Sequence, residues 1–312
     1  AFSSRMPDLN LKNTKVKDEI KKAVKYWIDQ GVDGFRLDAV RYFVASSEDT
    51  QADSAETHAF LKELGAYARQ AKPDVLMIGE AWTTATKVAT YFGHGDELDL
   101  CFHFDMIDAI LRSFQREKGS SLAMALSQIE QAYQDIAFNA PILGNHDHKR
   151  IMSRLQHETK AMKLAATILF SLPGTPFLYY GEEIGMGNAA GDGDLGKRSP
   201  MQWNTTPKAG FTTGIAWNKY SGNMDTISVK AQDKASDSML NHYRKLIRLR
   251  AKYPALKHGT MTVLEMTGTP DGAGLAYLRT YKENSILVVL NFSEKDSLTA
   301  SVKLPFSLDT LK

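Results

Sequence analysis

The chain has 312 residues, 43% of them hydrophobic and 24% charged, with a formal net charge of +2. That length allows one large core and a small appendage, and the near-neutral charge excludes nucleic acid as an implied partner. The single cysteine, Cys101, excludes an internal disulfide framework; it lies in an apolar run where a buried, inert thiol is expected.

The N-terminus, Ala1 to Asn10, lacks the basic and apolar regions of a signal peptide and reads as loop, as though the chain were entered midway. Residues 14–30 carry Val16, Ile20, Val24, Trp27 and Ile28 at helical spacing, capped by Asn13 or Thr14 and followed by Gly31. Residues 32–40 are too short and punctuated for a helix and suit a buried strand. A helix over 55–71 stops at Lys72-Pro73, and the apolar run Val75 to Ile78 leads into Gly79-Glu80. The alternation continues with strands at 98–104, 140–143 and 176–180 and helices at 121–134 and 158–172. The longest apolar stretch, Leu164 to Tyr180, is broken by Pro173, Gly174 and Pro176, so no membrane span is expected. Residues 181–234 form a long irregular excursion, and such loops tend to be functional. After a helix over 236–252 and Pro254, β-rich runs near 261–264, 275–281, 285–290 and 298–304 predict a separate antiparallel domain from residue 256. The order implies an α/β fold with a parallel sheet buried on both faces, either doubly wound or a (β/α)8 barrel.

Three strand-like runs each end in a carboxylate, Asp38, Glu80 and Asp147, and the carboxyl ends of parallel strands are where ligands bind. Any one of these acids alone could equally cap a following helix. Converging carboxylates suit hard-metal binding or glycoside hydrolysis. Arg36 projects to the same side as Asp38 and would keep it ionised, as a nucleophile needs. Glu80 lies among Met77, Ile78, Gly79, Ala81 and Trp82, surroundings that raise a carboxyl pKa and suit a general acid. A phosphotransfer enzyme would need a phosphate-cradling glycine-rich loop, and none stands out.

Gly34-Phe-Arg-Leu-Asp-Ala-Val, Ile78-Gly-Glu-Ala-Trp and Asn145-His-Asp together resemble three signature segments of the α-amylase family, glycoside hydrolase family 13. Met6-Pro-Asp-Leu-Asn, Pro173 to Glu183 and Arg198-Ser-Pro-Met-Gln-Trp are similar to further family segments, so the resemblance covers nearly the whole chain. It implies a (β/α)8 TIM barrel, of which residues 1–255 would supply strands four to eight, followed by a truncated antiparallel β-sandwich domain over 256–312. It makes Asp38 the nucleophile with Arg36 as partner and Glu80 the acid/base, while Asp147 and His146 grip sugar hydroxyls. A retaining mechanism would then set the Asp38 and Glu80 carboxyls roughly 5 Å apart. Arg41, Tyr42, Trp82, Asn145 and Arg150 are further candidate substrate contacts, and Met186, Asn188, Asp192 and Asp194 are candidate rim residues. A buried core Trp82 and a surface Arg150 are the plainer alternatives.

The expected activity is α-1,4 cleavage in starch or maltooligosaccharides by double displacement. A 4-α-glucanotransferase, an α-1,6-acting oligosaccharide glucosidase and a non-catalytic α-glucan-binding fragment stay open. Ala39 leans the reading toward α-1,4 links, and Met6 to Asn10 is intermediate between the oligo-1,6-glucosidase and neopullulanase markers. Arg41-Tyr42 replaces the Lys-His pair common in fungal and animal amylases, leaving a structural calcium possible without assignable ligands; no organic cofactor is implied. The expected partners are the α-glucan and an N-terminal barrel half, on the same precursor or a second chain. Localisation stays open, with a secreted or periplasmic location favoured over a cytoplasmic one.

Overall fold

The computed structural model describes residues 5–47, 51–133, 135, 138–191, 193–269, 272–293 and 297–306. The chain forms two compact units, Ala1–Phe104 with Gln131–Ala140, and Asp105–Glu130 with Pro141–Lys312.

In the first unit, α1 (Thr14–Asp29) starts where the Asn13 side chain accepts from the Lys15 amide and ends before Gly31, whose φ of +92° is left-handed. Strand β1 (Gly34–Leu37) follows, then α2 (Ala55–Ala71), capped by Ser54 and stopped before Pro73. The remaining elements are β2 (Leu76–Gly79), α3 (Ala85–Ala89), β3 (Leu100–His103) and β4 (Asn139–Pro141). The strands form one sheet in the order β1-β2-β3-β4, and β1, β2 and β3 pair in parallel. Gly34 faces Leu76 so closely that a Cβ would lie 2.5 Å from the Leu76 carbonyl oxygen, so register here requires glycine. Phe60, Leu61 and Leu64 of α2 join Met77, Tyr91, Phe92 and Leu98 in the core. The α1 face is less buried than its periodicity predicts, with Ile28 inside but Trp27 52% exposed. Burial also falls at β1, where Gly34, Phe35 and Leu37 are half-buried, whereas β2 buries Met77, Ile78 and Gly79.

The second unit holds α4 (Phe104–Gln115), α5 (Ser120–Ala132), α6 (Ile151–Arg154), α7 (Thr159–Ser171), α8 (Asp194–Lys197), α9 (Val229–Gln232), α10 (Met239–Lys252) and α11 (Pro254–His258). Helix α4 is absent from the sequence reading: β3 passes straight into it with no Gly or Pro to mark the change. The strand predicted over 176–180 shrinks to one parallel bridge between Ile142 and Phe177. Pro176 has no amide proton, the Phe177 amide donates to the Pro141 carbonyl (3.0 Å), and Gly181 turns the chain away at φ +86°.

The chain ends in an antiparallel sheet of β5 (Thr260–Leu264), β7 (Gly274–Tyr281) and β8 (Asn284–Asn291), ordered β5-β7-β8, beside a two-residue ladder of β6 (Met266–Thr267) and β9 (Ser301–Val302). Two buried arginines meet the carboxyl end of α7. Arg250 donates to the carbonyls of Phe170 (2.8 Å), Leu172 (2.9 Å) and Gly174. Arg279 donates to those of Ser171 (2.5 Å), Gly259 (2.8 Å) and Thr260 (3.2 Å). The negative end of the helix dipole and these carbonyls take the place of carboxylate partners, while burial pulls each guanidinium down to about 10.

Candidate active site

The three strand-end acids are not helix caps: the following helical turns are capped by Ala39, Thr84 and Arg150, none through its side chain. In the first unit Arg36, Asp38 and Glu80 form one cluster. Arg36 leaves β1 with one guanidinium nitrogen on the Asp38 carboxylate and the other 2.6 Å from Glu80 Oε2. Glu80, just beyond the paired strand β2, also accepts from the Ala39 amide at 3.2 Å. That amide is aimed by a left-handed Ala39, φ +45°, a conformation costly for a residue with a Cβ. Two carboxyls from neighbouring strands thus share one guanidinium but differ in environment. The Asp38 side chain is 72% exposed and that of Glu80 only 12%. Burial raises the Glu80 pKa, Arg36 and the Ala39 amide oppose the rise, and the Asp38 charge adds to it.

Around this cluster, the Arg41 guanidinium is engaged by Asp53 (2.8 and 2.7 Å) and by the Trp82 carbonyl (2.8 Å), which makes it a brace of the loop after β1. That pairing holds the Asp53 carboxyl down at about 2. The Arg41 cation lies over the Tyr42 ring at 5.6 Å. Trp82 stacks on Phe104 at 4.9 Å and is 52% exposed, so it is not a core residue. Cys101 is fully buried, and burial pushes its thiol far up, as expected of an inert cysteine.

The second unit carries Asp147. Its Oδ1 accepts from Arg198 at 2.9 Å, its Oδ2 lies 3.2 Å from His146 Nε2, and its carbonyl accepts from Lys197 at 2.8 Å. Asn145 spends its side-chain oxygen locally, accepting the Asp147 amide at 2.9 Å and meeting His148 Nδ1 at 2.7 Å. Arg150 is 2% exposed, which rules out a surface role; it lies over the rings of Tyr179 and Tyr180 and donates to the Tyr180 carbonyl at 2.7 Å. Asn188 accepts the Arg150 amide at 2.8 Å, Met186 is core, and Asp194 pairs with Lys197 and Arg198. Asp192 lies outside the described residues. Arg198 and Lys197 carry no local signal of such a role, although Arg198 opens the segment Arg198-Ser-Pro-Met-Gln-Trp. Among the described residues, no group of three or more His, Cys, Asp or Glu side chains could hold a metal ion, so the fit of a structural calcium gains no ligand set. No helix among them is long and apolar enough to cross a membrane.

The alpha-amylase catalytic-domain family model matches residues 1–259. The chain belongs to the alpha-amylase family. Its fold is that family's (β/α)8 TIM-barrel class with a small antiparallel β domain. It is 34% identical to alpha-amylase 3 of Dictyoglomus thermophilum over 94% of this chain and 56% of that protein. It is 30% identical to an oligo-1,6-glucosidase of Halalkalibacterium halodurans, over 93% of this chain and 62% of the relative. The alpha-amylase structure from H. orenii superposes with a TM-score of 0.80 at 29% identity, covering 93% of this chain and 57% of that one. The chain therefore spans a little over half the length of these amylase relatives.

Proposed function

We propose that this alpha-amylase family chain serves a retaining α-glucan hydrolase that cleaves α-1,4 bonds in starch or maltooligosaccharides. The observation that carries the reading is the Arg36 guanidinium shared between an exposed Asp38 and a sheltered Glu80 whose pKa is raised. In the first step the Asp38 carboxylate attacks the anomeric carbon, the bond to the glycosidic oxygen breaks, and the Glu80 proton passes to that leaving oxygen. In the second, Glu80 takes a proton from water, whose oxygen attacks the same carbon and releases Asp38. Asp147, oriented by Arg198 and His146, grips sugar hydroxyls as positive charge develops on the ring. Asn145 sets the Asp147 turn in this scheme. The reading invokes no organic cofactor.

The half-burial of β1, an edge strand with no further partner among the described residues, supports a requirement for additional barrel strands. The test is release of chromophore from a blocked maltoheptaoside by the chain, alone and with an amylase N-terminal segment supplied, beside Asp38→Asn and with isomaltose for comparison. Activity abolished by Asp38→Asn is expected. Activity equal in both proteins, or none in either with the segment present, overturns the reading.

A further inference from the structure

Apart from the carboxylate clusters, the loop after residue 181 encloses a cleft of about 430 Å³ within the second unit, lined by Tyr180, Glu183, Met201, Trp203, Phe211 and Trp217. Its size falls in the range of small-molecule sites. The rings are surface, not core: Trp217 is 55% exposed, Trp203 51% and Phe211 40%. Large aromatics open to water and lining one cleft mark a binding surface.

Hydrogen bonds hold part of the lining in place. The Trp203 amide donates to the Ala209 carbonyl at 2.8 Å, and the Tyr180 hydroxyl donates to that of Ser199 at 2.7 Å. The neighbouring Gln202 is fully buried and accepts the Ser221 amide at 2.7 Å. The same loop reaches the Asp147 cluster, because Arg198, which holds Asp147, lies only a few residues before Met201 and Trp203. Flat rings cover the C–H faces of a pyranose, and a carboxyl in the lining can accept from its hydroxyls; Glu183 supplies that group here.

We propose that this cleft is a second α-glucan site, in which Trp203, Phe211 and Trp217 stack on a glucosyl segment of a long chain. The proposal rests on the α-glucan reading above for its ligand, but the lining of the cleft includes neither Asp38 nor Glu80. The test is calorimetric titration of maltoheptaose into Asp38→Asn protein, which cannot turn the ligand over, and into the same protein carrying Trp203→Ala, Trp217→Ala or Trp217→Leu. Trp217→Leu keeps apolar bulk and removes the ring face, so it stays informative if an alanine variant misfolds by circular dichroism. Affinity for maltoheptaose should fall about tenfold in the folded variants, the loss of roughly 1.4 kcal/mol, while maltose binding changes little. Absence of maltoheptaose binding in the parent, affinity within about twofold of it in the variants, or equal binding of the β-linked cellohexaose overturns the proposal. Hydrolysis is read separately. A chain that binds through these tryptophans but cleaves nothing retains this site and loses the catalytic reading; one that cleaves normally with unchanged binding loses this site alone.

Discussion

Glu182 gives a sharp test of how the second unit is held together. Its side chain is 3% exposed, takes a long hydrogen bond from the Tyr243 hydroxyl (3.3 Å), and is pushed by burial, then by the neighbouring Glu183, from 4.5 up to about 8. Because the folded value is raised, its stabilising contribution is fully present below about pH 4.5 and is lost as pH climbs through about 8. At ~1.4 kcal/mol for each pH unit between those values, folding favours the neutral carboxyl by about 5 kcal/mol. Gln matches the neutral acid in shape and can still accept from Tyr243, so Glu182→Gln should fold and lose this pH dependence. Denaturant unfolding at pH 5 and pH 8 should show the parent losing about 3 to 4 kcal/mol more than the variant over that interval. Stability curves that run parallel for the two proteins would refute the assignment of a buried, neutral Glu182.

Replacing Arg36 with Met removes the cation that opposes the rise of the Glu80 pKa. In the active assembly the alkaline limb of the pH–rate profile should move to higher pH while kcat falls; a limb that stays in place argues against Glu80 as the acid. Arg198→Ala frees Asp147 Oδ1 and should lower kcat/KM by about 10- to 100-fold, with partial recovery in Arg198→Lys, whereas unchanged kinetics would remove Arg198 as a positioning residue. Arg279→Met leaves the carbonyls of Ser171, Gly259 and Thr260 without their donor and should destabilise the protein by about 3 to 5 kcal/mol in equilibrium unfolding, against a loss under about 1 kcal/mol if those bonds carry little.

The elements set by local chemistry were legible in the sequence. Asn13 caps α1 as its position before the apolar periodicity predicts, and the helix predicted over 55–71 is α2 without adjustment. Helix α4 was hidden because no breaker separates it from β3, and the strand over 176–180 failed because a run containing Pro176 forms little ladder whatever its apolar content. Among candidate site residues, Arg36 beside Asp38 follows from two-residue strand spacing, whereas its reach to Glu80 depends on the pairing of β1 with β2, which the sequence does not display. The partners of Arg41, Asp53, and of Asp147, Arg198, were not foreseeable, since separations of 12 and 51 residues carry no local signal. Arg150 shows the limit of reading burial from residue type: two tyrosines and a carbonyl make room for a guanidinium that composition places at the surface.

The arginines at the end of α7 bear on how this chain can be cut and recombined. Arg250 lies before residue 256 and Arg279 after it, yet both donate to carbonyls of one short stretch, and the Tyr277 hydroxyl bonds Ser171 there at 2.6 Å. A chimera joined at that apparent boundary inherits a socket without its plug unless the grafted sheet brings its own arginine and tyrosine at matching positions. Exchange of C-terminal modules among relatives is thus a question of lock geometry at a helix end rather than of linker length.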